Sequence, residues 1–179
     1  VGGLTGEYSS SAAVTRFRNH GTISNAAEAA EIYVGGVLGN TSAAVVLNNC
    51  ENYGNINNSG TCTAAYSSNT ASGASMTSGV IGLCSAAAQL NGCVNEGRIE
   101  NTSNSVYITV AGFIGLNKSA AATMTGCSNK GYIGCTPVSN NANQLVRIAG
   151  FVAHSTINGT KLDNCSNTGN IKLENSHTI

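Results

Sequence analysis

The side chains able to do chemistry in this chain are seven cysteines, three histidines and eight carboxylates. Four cysteines fall at matching places. Cys50, Cys93, Cys127 and Cys165 each stand two residues before an Asn and four before a Gly. Phe17 takes the same place ahead of Asn19 and Gly21. Phe in place of Cys marks the position as apolar and inward. The thiols therefore read as a ladder of small buried hydrophobes. Disulfides between neighbouring rungs fit less well, because side chains in register point the same way and disulfide geometry is demanding. Zinc is not supported: the rungs are not CxxC pairs, and His20, His154 and His177 lie at unrelated positions. Cys62, Cys84 and Cys135 lie off the ladder, and an odd total leaves at least one free thiol in any fully paired scheme.

The carboxylates are Glu7, Glu28, Glu31, Glu51, Glu96, Glu100, Asp163 and Glu174. Cleavage of a polysaccharide by hydrolysis requires two facing carboxylates. Glu51 and Glu96 do not share a rung position, and no pair stands out. Glycine-rich stretches such as VGGVLG look like phosphate loops. They lack the Lys-Ser/Thr ending and recur in every copy, so packing explains them better. No G-x-S-x-G elbow is present. Six sequons, at Asn40, Asn57, Asn101, Asn117, Asn158 and Asn164, bear on glycosylation only in a eukaryotic secreted protein. The expectation is no catalytic residue, no metal, no cofactor and no enzyme; a ligand-binding site is not identified.

The element that carries the ladder is LNGCVNEGRI, Leu90 to Ile99, which recurs five times. The other copies are VTRFRNHGTI, LNNCENYGNI, MTGCSNKGYI and LDNCSNTGNI. Asn19, Asn52, Asn95, Asn129 and Asn167 precede Gly21, Gly54, Gly97, Gly131 and Gly169 by two. Gly at this place predicts a bend with positive φ. Asn beside it can satisfy backbone groups, and in stacked coils can bond the Asn above and below. A second block precedes the first: VGGLTG, VGGVLG, TSGVIG, VAGFIG and IAGFVA. The step from its last residue to the Cys/Phe place is 11 residues in three copies and 12 in two. That near-constancy makes the register real.

From Gly to Gly the periods are 33, 43, 34 and 38, in the range of solenoids and arrays. The blocks are short, rich in Gly and Asn, and β-branched or aromatic at their apolar places, which excludes helix. Long irregular links exclude tight antiparallel hairpins. The fold class is all-β: a parallel β-solenoid (β-helix) of about five coils with stacked Cys, Asn and Gly ladders. The coils are approximately 1–32, 33–76, 77–105, 106–144 and 145–179, in one repeat domain. AAEAAE, Ala26 to Glu31, predicts a brief helical turn. VYITVAGFIG, Val106 to Gly115, predicts the clearest strand. The links Asn58 to Met76 and Thr136 to Gln144 predict loops, the second holding Pro137, the only proline. The chain begins and ends at repeat blocks, which reads as an uncapped segment of something longer.

Charged residues are 9% and the formal net charge is zero. The basic residues are scattered, which excludes the basic stripe that a nucleic acid or anionic membrane requires. No run of 18 apolar residues spans a bilayer. Trp is absent and aromatics are 5%, so no sugar-stacking platform stands out.

With both blocks in view, the chain resembles the GLUG-motif repeats of bacterial surface proteins, in which a G-G-apolar-apolar-G block joins a later C-x-N-x-G-x-apolar block. VGGVLG with NCENYGNI, SGVIG with GCVNEGRI, AGFIG with GCSNKGYI, and AGFVA with NCSNTGNI carry the resemblance. It spans most of the chain outside the links. Phe17 and Ala153 depart from the pattern. Such repeats are common in secreted or surface-anchored proteins of Bacteroidetes. The resemblance implies extracellular or cell-surface display and an adhesive or spacer role. The leading expectation is thus a structural or adhesive segment of a surface protein or filament. Its partners would be copies of itself or neighbouring repeats stacked end to end, or glycans and proteins, with no nucleic acid and no membrane insertion. The alternative is a polysaccharide-binding or polysaccharide-cleaving β-helix acting through the two links.

Overall fold

The computed structural model describes residues 1–65, 67, 73–118, 121–138 and 144–174. It is a parallel β-solenoid of five coils. Strands of two to five residues stack coil on coil into sheets, which we number along the coil. Sheet 1 joins Thr5–Tyr8, Leu38–Thr41, Ile81–Cys84, Ile114–Asn117 and Val152–Ser155. Sheet 2 joins Ala13–Thr15, Val45–Asn48, Ala88–Asn91, Ala122–Thr125 and Lys161–Asp163. Sheet 3 joins Arg18–Asn19, Glu51–Asn52, Val94–Asn95, Ser128–Asn129 and Ser166–Asn167. Sheet 4 joins Ile23–Asn25, Ile56–Asn58, Ile99–Asn101, Ile133–Cys135 and Ile171–Leu173. Sheet 5 is the pair Glu28–Ala29 and Thr61–Cys62. Sheet 6 joins Ile32–Gly35, Ala74–Ser78, Tyr107–Ala111 and Leu145–Ala149. Every strand pairing is parallel.

Three apolar clusters fill the coil. Leu38, Ile81 and Ile114 of sheet 1 meet Leu47, Leu90 and Met124 of sheet 2. Ile23, Ile56, Ile99 and Ile133 of sheet 4 meet Val34, Ile108 and Val110 of sheet 6. Met76 and Tyr107 of sheet 6 meet Leu83 and Leu116 of sheet 1. Sheets 6 and 1 therefore run back to back through the middle, joined by the turn that holds Gly36, Gly79, Gly112 and Gly150. Sheet 4 lies outside sheet 6, sheet 2 lies outside sheet 1, and sheet 3 passes over the turn. Each fully buried Leu or Ile contributes about 1.5–3 kcal/mol, so these columns supply most of the stability.

The two sequence blocks meet across the coil. A Cβ on Gly36 would lie 2.6 Å from Asn52 Cγ, and one on Gly79 would lie 2.3 Å from Asn95 Oδ1. Gly112 and Gly150 stand the same way against Asn129 and Asn167, at 2.8 and 2.7 Å. The last Gly of the block lets the middle sheets close, since a Cβ on Gly82 would lie 2.8 Å from the Val34 amide nitrogen.

Four expectations are corrected. Residues Ala26 to Glu31 form no helix; Glu28–Ala29 pairs with Thr61–Cys62 instead. A single helical turn has no stability of its own, and strand pairing with the next coil outcompetes it. Val106 to Gly115 is not one strand. It breaks at Gly112-Phe113 between sheets 6 and 1. The link Asn58 to Met76 holds Thr61–Cys62 and most of Ala74–Ser78; residues 66 and 68–72 within it lie outside the described residues. The bend glycines do not have positive φ. The left-handed corner sits just before the Cys/Phe place, at Arg16 (φ 57°), Asn49 (51°), Gly92 (60°), Gly126 (63°) and Asn164 (51°).

Left-handed backbone suits Gly and Asn and costs other L-residues about 1–2 kcal/mol. Arg16→Gly is therefore expected to raise stability by about 1 kcal/mol in urea unfolding. Gly79→Ala drives a methyl into Asn95 and is expected to lower it by more than about 2 kcal/mol.

Candidate functional site

The predicted ladder residues come together as continuous columns along the solenoid axis. Asn19 Nδ2 donates to Asn52 Oδ1 at 2.7 Å, Asn52 to Asn95 at 2.8 Å, Asn95 to Asn129 at 2.7 Å and Asn129 to Asn167 at 2.6 Å. The second Nδ2 hydrogen of Asn52, Asn95 and Asn129 goes to the carbonyl of Gly54, Gly97 and Gly131. Asn52, Asn95 and Asn129 are fully buried. The bend glycines are there for contact. A Cβ on Gly54, Gly97, Gly131 or Gly169 would fall 2.0–2.1 Å from the glycine carbonyl of the coil before.

The cysteines are free thiols. Cys50, Cys93, Cys127 and Cys165 bond the carbonyls of Val14, Leu47, Leu90 and Met124 in the preceding coil, at 3.3–3.5 Å. Cys93, between the thiols of Cys127 and Cys50 and shut off from water, has its pKa raised. The neighbouring Cys93 thiol lowers the pKa of Cys50 and of Cys127. Burial pushes Cys135 up to about 12 and raises Cys84.

A second buried ladder escaped the sequence reading. Asn25 Nδ2 donates to Asn58 Oδ1 at 2.9 Å. Asn58 and Asn101 both donate to Ser75 Oγ and Thr77 Oγ1, at 2.8–3.1 Å. Its signal was present as Ile-x-Asn in the first three copies: Ile23 to Asn25, Ile56 to Asn58 and Ile99 to Asn101.

Along the outward-facing edge of sheets 3 and 4 the side chains change from coil to coil. One column reads His20, Tyr53, Glu96, Lys130 and Thr168, set by backbone bonds from Tyr53, Glu96, Lys130 and Thr168 to the Asn of the coil before. Beside it stand Arg18, Glu51, Val94, Ser128 and Ser166. Arg18 Nε meets Glu51 Oε2 at 2.5 Å, and Tyr53 Oη donates to the same oxygen at 3.0 Å. That bond raises the Tyr53 pKa. The His20 ring stacks on Tyr53 with centroids 4.9 Å apart. Lys130 Nζ meets Glu96 Oε1 at 2.8 Å. Arg98 pairs with Glu100 and lies 4.0 Å over the Tyr132 ring. Such exposed pairs are screened and add little stability. Glu51, Glu96 and Glu100 each have a cation beside them, and the edge presents donors, acceptors and rings to solvent.

A further polar cluster centres on Tyr107. Fully buried Tyr107 bonds His154 Nδ1 at 2.5 Å and also Arg147. Burial, with Arg147 alongside, lowers the His154 pKa. Among the described residues no group of three or more His, Cys, Asp or Glu is arranged to hold a metal ion. Of the sequons, Asn101 and Asn117 are fully buried.

Comparison with family models, with curated proteins and with solved structures returned no match.

Removing one amide orphans a buried donor on one side and an acceptor on the other, at about 1–3 kcal/mol each. Asn95→Ala is expected to destabilise by on the order of 3 kcal/mol by thermal or urea unfolding. Asn95→Asp puts a carboxyl where a donor is needed, and burial favours its neutral form. The Asn95→Asp variant should be most stable below about pH 4 and lose stability as pH rises. In thiol labelling of the folded protein, only the half-buried Cys62 and Cys165 are expected to react; the other five should react on unfolding.

Proposed function

We propose that this chain is a non-catalytic structural and adhesive repeat segment of an extracellular or cell-surface protein or filament. One observation carries the reading. The Asn52, Asn95 and Asn129 amides hold coil to coil by one recurring set of contacts, while the outward edge of sheets 3 and 4 carries side chains that change from coil to coil. Such a body acts as a stiff spacer whose length grows with coil number and whose edge is free to change. The GLUG-motif resemblance supports surface display. Partners are neighbouring repeats along the axis and glycans or proteins along the edge. No cofactor enters the reading.

A second reading, a polysaccharide-binding or polysaccharide-cleaving solenoid, is favoured by the Tyr53–His20 and Arg98–Tyr132 stacks on that edge. It moves the contact from the links to the edge.

The test is to display the segment on beads and measure retention under flow on immobilised glycans and proteins. The proposal expects retention that falls at least about tenfold in the Tyr53→Ala/Arg98→Ala/Tyr132→Ala variant, with no release of reducing ends from soluble polysaccharides. Steady polysaccharide cleavage, abolished by replacing one carboxylate, would overturn it.

A further inference from the structure

The two broad sides of the solenoid differ in charge. Residues 33–144 hold six charged side chains. Five of them, Glu51, Glu96, Arg98, Glu100 and Lys130, stand on sheets 3 and 4 or in the bend between them. Each has an opposite charge beside it, in the pairs Arg18–Glu51, Arg98–Glu100 and Lys130–Glu96. The sixth, Lys118, follows the sheet 1 strand Ile114–Asn117. Sheet 2, on the side away from sheet 4, has no charged residue in Val45–Asn48, Ala88–Asn91 or Ala122–Thr125.

Strand alternation decides which sheet 2 side chains face out. Val45, Leu47, Ala88, Leu90, Ala122 and Met124 belong to the core, which turns the residues between them to solvent. Val46, Gln89 and Thr123 form one outward column, and Asn48, Asn91 and Thr125 a second. Exposed Ala44, Ala87 and Ala121, one residue ahead of the strands, form a third. Rungs stand about 4.8 Å apart, and columns about 6.6 Å apart along the strand. The face is a flat lattice of methyls, hydroxyls and carboxamides. Asn91 Nδ2 donates to Asn48 Oδ1 at 2.9 Å. The Gln89 amide, the Asn91 carbonyl oxygen and the Thr123 and Thr125 hydroxyls have no side-chain partner among the described residues, so they are open to a ligand.

A face without cations offers nothing to a polyanion. Without a ring or an Arg it also lacks the anchors on which protein partners depend. Its complement is uncharged, hydroxylated and flat. Hydroxyls and carboxamides exchange water for a ligand hydroxyl at little net cost, and the methyls gain by burial. On the charged edge the same ligand would strip water from ion pairs that it cannot replace. We propose that the outer face of sheet 2 binds an ordered, neutral, β-linked polysaccharide of the cellulose or chitin kind, laid flat across the rungs. Such a chain is an extended ribbon with hydroxyls along its edges and C–H groups on its faces, which suits a methyl column beside polar ones. The inference goes beyond the adhesive reading by adding a second contact face. The edge keeps the partners that answer its charges and rings.

The experiment is depletion of the whole chain from solution by microcrystalline cellulose, by chitin and by alginate gel. Depletion by cellulose or chitin but not by alginate is expected, and high salt should leave it unchanged. Ala87→Glu/Gln89→Glu, at two exposed positions, should weaken it about tenfold. The edge variant Tyr53→Ala/Arg98→Ala/Tyr132→Ala should bind like the parent. Circular dichroism reports whether each variant is folded. Ala87→Lys/Gln89→Lys, which should weaken binding as well, serves if the Glu pair does not fold. No depletion by either neutral polymer would overturn the inference, while retention through the edge, measured on beads, would still stand. Depletion indifferent to charge at 87 and 89, or lost in the edge variant, would overturn the assignment to sheet 2. So would a dimer in sedimentation velocity that the same substitutions dissociate, since it would give the face to a second copy.

Discussion

Everything in this solenoid is arranged around a file of buried asparagine side chains. Successive rungs of a parallel sheet stand about 4.8 Å apart. At that spacing a primary amide can accept from the rung below and donate to the rung above. Asn52, Asn95 and Asn129 do both, and each gives its remaining hydrogen to a glycine carbonyl in its own coil. The energetics are asymmetric. A satisfied bond adds only about 1 kcal/mol net, but a buried amide left without partners loses about 1–3 kcal/mol. The apolar columns, at about 2 kcal/mol per side chain, stabilise more. Apolar columns alone tolerate sliding, however, and a one-residue slip would place every Asn against hydrocarbon. Burial drives the coil to close, and the amides decide which residue lies over which.

The other constraints follow from making room for that file. The Asn side chains lie under the turn between sheets 6 and 1, so no Cβ fits at Gly36, Gly79, Gly112 or Gly150. The bend glycines ride on one another's carbonyls, where a Cβ would fall about 2 Å from oxygen. The two blocks, far apart in each repeat, are thus the two sides of one contact. Side chains that touch nothing inside are released from the pattern. At the edge of sheets 3 and 4 an aromatic, an anion and a cation succeed one another in a single column.

Much of this was legible in the residues. Phe17 standing where four cysteines stand revealed an inward apolar place. The Asn and Gly offsets gave the ladder and the number of coils. Other features were hidden for physical reasons. Positive φ was expected at the bend glycines, yet close approach and left-handed backbone both select Gly, and composition does not separate them. The alternation of Asn and Gly at 49, 92, 126 and 164 was the better signal for the left-handed corner, with Arg16 masking it in the first copy. The Ala26 to Glu31 stretch has helical propensity, which a two-residue pairing to the next coil overrode. The outward edge had no signal at all, because its residues share only a column, and a column is visible only once the coils are stacked.

The most direct test of the amide file is hydrogen exchange of the Asn side chains themselves, followed by NMR with assigned Nδ2 protons. If the file is continuous, the Nδ2 protons of Asn52, Asn95 and Asn129 will exchange only with global unfolding, as slowly as the amides of Gly54, Gly97 and Gly131 that flank them. Exchange at the rate of an exposed asparagine, with the backbone still protected, would mean that the amides do not bridge the coils and that the apolar columns set the register without them.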